Sequence, residues 1–329
     1  MKMKSGMGGA LHRPVMVSEV LEYLKPEKGK VIVDGTVGTG GHAESILGHI
    51  MPGGCLIAID RDPQAITKAR ERLGKVAPAV SYHCENYRNI RSILDVEGID
   101  RVDGILLDLG VSSIQLEDPA RGFSFRRDGP LDMRMGPDAE MNAAQIVNSE
   151  SEAEIARILY RYGEERWAKR IAHFIIEGRE RRPIVSTQQL VEVVLDAVPA
   201  GARRGRRHPA RKTFQALRIA VNHELDDLRE AIAKGIECLA LAGRMVILTY
   251  QSLEDRIVKS TFNSLAKGSA YPPGEPLFFE PEFQVLTRKP VRPAEEETHA
   301  NPRARSAKMR AAERISYGEN EALRGEEVR

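Results

Sequence analysis

Residues 31–42, Val-Ile-Val-Asp-Gly-Thr-Val-Gly-Thr-Gly-Gly-His, constrain the fold of this chain more than any other segment. The apolar, β-branched start of this segment predicts a buried parallel strand. Gly38, Gly40 and Gly41 follow, and the missing side chains let backbone N–H groups approach a bound molecule closely before a helix begins near His42. Taken alone, the segment is compatible with a nucleotide-type site and equally with an ordinary tight turn.

A second acid strengthens the interpretation as a binding site. The apolar run of residues 56–59 ends in Asp60, at the place where doubly wound folds present a carboxylate to ribose hydroxyls. Residues 38–43 also satisfy the pattern G-x-G-x-x-A, so an NAD site remains open. Asp34 favours a cationic ligand instead, because an acid at the mouth of the first strand would repel a pyrophosphate. S-adenosylmethionine has a sulfonium, an amino group and ribose hydroxyls without phosphate, and it fits these acids better.

Strand and helix patterns alternate along the first part of the chain and predict an α/β fold, a doubly wound parallel sheet with helices on its faces. Asp108 is a third acid at the end of an apolar run. Ligands of such sheets bind beyond the carboxyl ends of the strands, where Asp34, Asp60 and Asp108 are all expected. Further strands are expected at residues 56–59, 80–83, 104–109, 245–248 and 282–287.

The alternation stops after residue 112. Residues 113–135 predict a long loop that covers an active site, and residues 138–198 predict only helices, with capping boxes beginning at Ser151 and Ser186. One further helix is expected over residues 217–228. We therefore expect a discontinuous methyltransferase-like α/β domain (1–112 and 213–312), an inserted loop and helical substrate-recognition domain (113–212) and a mobile tail (313–329).

Composition limits the class of protein. The chain has 329 residues, a formal net charge of +2 and no apolar segment long enough to span a bilayer, so a cytoplasmic protein without membrane contact is expected. Its three cysteines are far apart, which predicts neither a disulfide framework nor a zinc motif, and the acids and histidines lack metal-ligand spacing.

The charge is unevenly distributed. Residues 203–212 contain six basic residues and a histidine without an acid, and residues 121–134 and 303–310 are two more arginine-rich loops. A solvated loop is the alternative, but several such loops on one chain favour phosphate contacts and hence nucleic acid. The predicted RNA-binding residues are Arg206, Arg207, His208, Arg211 and Lys212.

The cysteines also bear on the chemistry of methyl transfer. Methylation at C5 of a pyrimidine needs a cysteine nucleophile, whereas Cys55 and Cys84 flank buried strands and Cys238 is expected in a helix. An exocyclic amine is the better acceptor, since a carboxylate that accepts its N–H frees the nitrogen lone pair. Asp108 is the candidate for this catalytic role, and cofactor binding is its alternative role.

Several motifs together carry a family resemblance. The chain resembles the bacterial ribosomal RNA small subunit methyltransferase H family over most of its length. The matching segments are Asp34-Gly35-Thr36, Gly40-Gly41-His42, Asp108-Leu109-Gly110-Val111-Ser112-Ser113-x-Gln115-Leu116, Arg121-Gly122-Phe123-Ser124-Phe125, residues 128–134, 208–219, 252–256 and 301–308.

The resemblance implies a class I S-adenosylmethionine-dependent methyltransferase that modifies the exocyclic N4 of a cytidine in 16S rRNA, near the P site. Two departures from the family pattern are Ile114, where proline is common, and Gln251, where histidine is expected before Ser252-Leu253-Glu254. The implied cofactor contacts are Gly40, Gly41, His42, Asp60, Tyr87, Asp108 and Gln115.

Two other classes remain as alternatives: an NAD-dependent oxidoreductase that uses the same glycine turn, and a non-catalytic RNA-binding factor that has kept the fold. The sequence also leaves open whether the substrate is free 16S rRNA or rRNA within the small ribosomal subunit. It does not settle the oligomeric state, for which a homodimer is one option.

Overall fold

The computed structural model of the protein describes residues 14–74, 79–204, 208–267 and 281–317. The chain forms two compact units. The first contains the residues up to Asp60, Gln64–Gly110 and the residues from Ala231 onward, and the second contains Arg61–Pro63 and Val111–Glu230. Among the helices in the described ranges, none combines the length and the apolar composition that crossing a membrane requires.

The first unit is built on one seven-stranded sheet. Its strands lie in the order β3-β2-β1-β4-β5-β7-β6. The first five strands run parallel, and β7 is antiparallel to both of its neighbours. This order confirms the predicted doubly wound α/β fold. The strands are β1 (Val31–Asp34), β2 (Cys55–Ile59), β3 (Val80–His83), β4 (Val102–Asp108), β5 (Leu239–Thr249), β6 (Phe283–Val285) and β7 (Lys308–Arg314).

Strand β1 is central because its side chains are apolar on both faces. Val33 pairs with Ile57 of β2 on one side and with Ile105 of β4 on the other, and all three are buried. Chain order along the sheet reverses at β1, which is the switch point where doubly wound folds bind their ligands. The carboxyl ends of β1, β2 and β4 therefore lie side by side.

Thirteen α-helices occur in the described parts of the chain. The helix predicted near His42 is confirmed. The helices are α1 (Val17–Leu24), α2 (Gly41–Ile50), α3 (Pro63–Leu73), α4 (Ile90–Val96), α5 (Ser113–Glu117), α6 (Ala143–Ser149), α7 (Glu152–Gly163), α8 (Ala168–Arg181), α9 (Thr187–Ala197), α10 (Arg211–Asn222), α11 (Glu224–Glu237), α12 (Ser252–Leu265) and α13 (Glu295–Ala300).

The helical character predicted for residues 138–198 is confirmed in the second unit, where this stretch forms α6 to α9. The Ser151 side chain accepts the backbone N–H of Glu154 at the start of α7. Ser186 and Gln189 form a complete capping box at the start of α9. These caps satisfy backbone donors that the first turn of a helix leaves without partners.

The second domain boundary differs from the prediction. Phe214 and Leu217 of α10 are buried in the same hydrophobic core as the helices of the second unit. The change of unit therefore falls after Glu230 and not at residue 212, because the apolar face of α10 contributes to the helical core. The predicted tail also begins too early, since β7 continues through the buried Arg314, and residues 318–329 lie outside the described residues.

Two local predictions need correction. The single helix expected over residues 217–228 is divided into α10 and α11 by His223, which has a left-handed φ of 52°. Asn222 is buried at this break, where its side chain binds the carbonyl of Met133 and the N–H of Met135. The loop expected over residues 113–135 contains α5 and a short 3₁₀ helix, and Asn222 anchors its end.

Strand β7 was not predicted, because its residues belong to a segment interpreted as an RNA-binding loop. Lys308 Nζ donates to Asp255 Oδ2 at 2.9 Å, and Arg310 Nε donates to Asp255 Oδ1 at 2.7 Å. Arg310 is buried. The phosphate-contact interpretation is therefore wrong for Lys308 and Arg310, whose charges are neutralised within the first unit.

Candidate active site

The glycine loop after β1 has the close packing that its sequence predicts. Gly38 and Gly40 have left-handed φ values of 53° and 80°, which side chains rarely adopt. A Cβ atom on Gly40 would lie 3.3 Å from Leu73, and one on Gly41 would lie 3.0 Å from Pro14. Leu73 and Pro14 therefore leave little room for side chains on the loop at this point.

Asp60 follows β2 and is tied to the glycine loop. Its Oδ2 accepts the backbone N–H of Gly38 at 2.9 Å. Tyr87 begins a short 3₁₀ helix after β3, and its Cβ lies 3.3 Å from the position that a Cβ on Gly35 would occupy. Asp60 and Tyr87 thus lie close to the end of β1, and a carboxylate there can accept several hydrogen bonds at once.

Asp108, at the end of β4, is the centre of a polar cluster in the first unit. Its Oδ1 accepts the hydroxyl of Tyr250 at 2.7 Å, and its Oδ2 lies 3.5 Å from Nε2 of His42. Its backbone N–H donates to the Thr36 hydroxyl at 2.6 Å. The Asp108 side chain is 23% exposed, so it is held from two sides while it still reaches solvent.

Asp34 is more deeply buried than its sequence position suggests, with an exposed fraction of 1%. Its Oδ1 accepts the backbone N–H of Thr36 at 3.2 Å. Burial raises the pKa of Asp34 from 3.8 to about 7, and the nearby His42 opposes this rise. Near neutral pH the carboxyl is therefore partly protonated, and its charge argues less strongly against a pyrophosphate than the sequence suggested.

The polar cluster around Asp108 also shifts the pKa values of His42 and Tyr250. Burial alone lowers the pKa of His42, but interaction with Asp108 and Asp34 outweighs burial and raises that pKa above 6.5. Burial, together with the charge of Asp108, raises the pKa of Tyr250 well above 10. The phenol consequently remains protonated and donates its hydrogen bond to Asp108 across the physiological pH range.

Sequence reasoning missed Tyr250. It follows β5 directly, so it occupies the same carboxyl edge of the sheet as the three acids, and that placement was the available signal. Gln251, next to it, lies at the start of α12, where its Nε2 donates to Glu254 Oε1 at 2.7 Å. Gln251 thus takes a helix-capping role in place of the histidine expected from the family pattern.

Gln115 lies in the second unit, whereas the other predicted cofactor contacts lie in the first. It forms a capping box with Ser112 at the start of α5. Its Nε2 donates to Oδ2 of the buried Asp62 at 3.0 Å, and Arg121 donates to the same oxygen at 2.9 Å. Arg121 is thereby paired within its own unit, and cofactor contact by Gln115 stays a prediction.

The predicted RNA-binding residues are only partly within the described residues. Arg206 and Arg207 lie outside them. His208 is exposed just before α10, and Arg211 and Lys212 are exposed in its first turn. The structure therefore brings three of the five predicted residues together on one exposed part of the second unit.

The residues around the glycine loop suit a cationic ligand that carries hydroxyl groups. Nδ1 of the buried His42 has no hydrogen-bonding partner within the described part of the chain, as a ligand-facing atom would. Asp108 lies 3.5 Å from the other ring nitrogen, Nε2, and Asp60 accepts a hydrogen bond from the glycine loop. In the described ranges no group of three His, Cys, Asp or Glu side chains is arranged to hold a metal ion.

A sheet in the order β3-β2-β1-β4-β5-β7-β6, with a glycine loop after β1 and an acid after β2, defines the class I methyltransferase fold. Residues 9–315 match the model of the MraW methylase family. The chain belongs to this family, which confirms the resemblance drawn from its motifs.

The chain is also similar to individual relatives. It is 51% identical over 307 residues to ribosomal RNA small subunit methyltransferase H of Geotalea uraniireducens, covering 92% of this chain and 98% of that protein. The protein of the same name from Heliobacterium mobile is 48% identical over 308 residues, covering 92% and 99%. The crystal structure of an rRNA methylase from Streptococcus thermophilus has a TM-score of 0.41 and 11% identity, covering 91% and 94%.

Proposed function

We propose that this protein transfers a methyl group from S-adenosylmethionine to the exocyclic N4 of a cytidine in 16S rRNA, near the P site. Membership of a methylase family supports methyl transfer, and the names of the relatives support rRNA of the small subunit as the substrate. The glycine loop, Asp60 and the buried His42 fit the donor, which agrees with the expectation from the sequence.

The exposure of Asp108 and its contacts are the observation that supports an amine as the methyl acceptor. Its carboxylate reaches solvent at the end of β4 and is held by Tyr250 and His42. The lone pair of an exocyclic amine is delocalised into the ring, and an acceptor for one of its N–H groups makes that lone pair more available. A fixed, partly exposed carboxylate provides such an acceptor.

The reaction asks mainly for positioning, because methyl transfer is an in-line displacement. When bound, S-adenosylmethionine supplies an electrophilic methyl group on a sulfonium. Asp60 accepts hydrogen bonds from ribose hydroxyls, and Tyr87 contacts the adenine. Asp108 accepts an N–H of the amine and takes the proton that N4 loses once it is methylated. Gly40, Gly41, His42 and Gln115 complete the proposed donor contacts.

The RNA is held by the exposed basic residues of the second unit. Arg206, Arg207, His208, Arg211 and Lys212 contact the substrate in this proposal, and the positive charge of the arginines and the lysine makes binding dependent on salt. The protein works on its own in this scheme or as a homodimer, and its substrate is 16S rRNA in the small ribosomal subunit.

The test compares Asp108→Asn with the wild-type protein. With tritiated S-adenosylmethionine and small subunits that lack the modification, we expect kcat to fall at least about a hundredfold in the variant. Calorimetry should show donor affinity within threefold of wild type. Asp103→Asn is the matched control, since Asp103 lies at the opposite end of β4 and accepts the N–H of Val31.

Nucleoside mass spectrometry of the digested product should identify N4-methylcytidine. A wild-type protein that binds NADH but not S-adenosylmethionine would exclude the proposal in favour of an oxidoreductase. Wild-type protein that binds both donor and RNA without methylating the RNA would indicate an RNA-binding factor. If Asp108→Asn abolishes donor binding together with activity, Asp108 is a cofactor ligand and not the acceptor for the amine.

A further inference from the structure

Three aromatic rings form a layered stack in the second unit. Phe214 is buried, Phe125 is half-buried and His208 is exposed. The rings of Phe125 and His208 are stacked, with centroids 4.9 Å apart and planes inclined by 22°. Phe214 meets Phe125 edge-on, with centroids 5.8 Å apart. The stack therefore runs from the core outward and ends in an exposed imidazole.

The outer ring is held in place before any ligand binds. Nδ1 of His208 accepts the backbone N–H of Ala210 at 3.2 Å, while Phe125 supports the inner face of the ring. Since Phe125 covers one face, the exposed area of His208 belongs to its other face and its edge. A ring fixed in this way loses little conformational entropy when a planar group stacks on it.

Positive charge surrounds this stack. The guanidinium of Arg126 lies 5.8 Å from the centroid of Phe125. Within the described ranges neither Arg126 nor Arg211 has a carboxylate within ion-pair distance, and Lys212 donates to the backbone carbonyl of Glu164. Asp128, an acid in the same loop, accepts the backbone N–H of Gln188 at the start of α9. The cations near the stack thus keep their charge available for an anion.

We propose that the outer face of His208 is a stacking platform for an unpaired nucleobase, with Arg126, Arg211 and Lys212 contacting phosphates of the same strand. An aromatic ring combined with cations is the arrangement that binds single-stranded RNA, because stacking engages the base while the cations follow the backbone. This inference rests on the proposed function, in that the strand is taken to belong to the rRNA substrate. It adds a base contact to a segment predicted only to hold phosphates.

The test measures binding of a fluorescein-labelled ten-nucleotide single-stranded RNA to the full chain by anisotropy. His208→Ala should weaken binding about tenfold, the magnitude of one lost base stack. His208→Trp keeps an aromatic ring and should bind at least as tightly as wild type. His173→Ala is the matched control, because it removes an exposed histidine from α8 of the same unit, and it should bind within twofold of wild type.

A second measurement separates stacking from charge. An RNA with 2-aminopurine in place of one base should lose fluorescence on binding to wild type and to His208→Trp, but much less on binding to His208→Ala. The slope of log affinity against log salt concentration should be the same for His208→Ala as for wild type. Arg211→Ala should reduce the magnitude of this slope by about one.

The outcomes separate this inference from the proposed function. If His208→Ala binds RNA within twofold of wild type, or if His208→Trp binds as weakly as His208→Ala, the platform is excluded while methyl transfer stands. If wild type methylates 16S rRNA and, among the three histidine variants, only His208→Ala shows reduced affinity, with reduced quenching, the platform is supported. A wild-type protein that binds neither of the two labelled RNAs excludes the platform, and one that also fails to methylate small subunits overturns both.

Discussion

The buried carboxyl of Asp34 makes the stability of the first unit depend on pH in an unusual direction. Burial raises its pKa from 3.8 to about 7. The folded chain therefore retains a proton that the unfolded chain releases above pH 4. Stability is fully present below the unfolded pKa and is lost as pH rises through the folded pKa, between about pH 4 and pH 7.

The free energy that is lost as pH rises follows from the shift in the pKa of Asp34. Each pKa unit is equivalent to about 1.4 kcal/mol, so ionising Asp34 within the fold costs about 4 kcal/mol by pH 8. Asp34→Asn cannot ionise, and its amide oxygen can still accept the N–H of Thr36. We expect the variant to exceed wild type by about 1 kcal/mol at pH 4.5 and by up to about 4 kcal/mol at pH 8.

The assay compares urea unfolding of both proteins by circular dichroism at half-unit steps from pH 4.5 to 8. Taking the difference between the proteins removes contributions from titrating groups that do not interact with Asp34. His42 does interact with Asp34, and its raised pKa acts in the same direction. Asp100→Asn serves as the control for loss of one exposed negative charge. Hydrogen exchange of peptides from β1 locates the effect in the first unit.

Trp167, the only tryptophan of the chain, reports on the second unit. If the units unfold separately, its fluorescence transition should be the same in wild type and Asp34→Asn. A stability difference that stays flat from pH 4.5 to 8, or that favours wild type at high pH, would refute the assignment of a buried, proton-binding Asp34.

Three further predictions follow from individual contacts. Tyr250→Phe removes the hydroxyl that positions Asp108, so kcat for rRNA methylation should fall about tenfold while KM for S-adenosylmethionine stays unchanged. A variant that loses donor affinity as much as it loses rate would contradict this. Asp255→Ala leaves the buried Arg310 unpaired and should lower the free energy of unfolding by about 3 kcal/mol in urea titrations, and a change below 1 kcal/mol would count against it. Gly122→Ala places a Cβ against the carbonyl of Pro130 at a φ of 71°, so the Trp167 fluorescence transition should show a loss of about 2 kcal/mol or more, and an unchanged midpoint would disprove the strain.

The parallel part of the sheet was predictable because its strands are apolar on both faces. Residues 31–33 and 104–107 are continuous apolar runs apart from one glycine, and each ends in an acid. The antiparallel β7 lacks this signature, since Lys308, Arg310 and Glu313 interrupt its apolar residues. Its charged side chains are tolerated in the sheet because partners such as Asp255, distant in sequence, neutralise them.

The residues of the candidate site could likewise be predicted from the sequence only in part. Asp60 and Asp108 were identified because an acid after an apolar strand at the carboxyl edge has few structural reasons to be there. Tyr250 occupies an equivalent place, but a tyrosine after a strand is common and its contact with Asp108 depends on two strands being neighbours. β4 and β5 are neighbours in the sheet although a long helical segment separates them in the chain, and the sequence does not reveal this pairing.

Basic residues illustrate why charge alone predicts an RNA-binding surface poorly. Arg121, Lys308 and Arg310 come from arginine-rich segments, yet each is paired with an acid that folding brings to it. Arg126 and Arg211 have no such acid in their described surroundings, and both accompany the exposed ring stack. A cation contributes to RNA binding only when folding leaves its charge uncompensated, and this condition supports the proposed RNA contacts of Arg126 and Arg211 on the second unit.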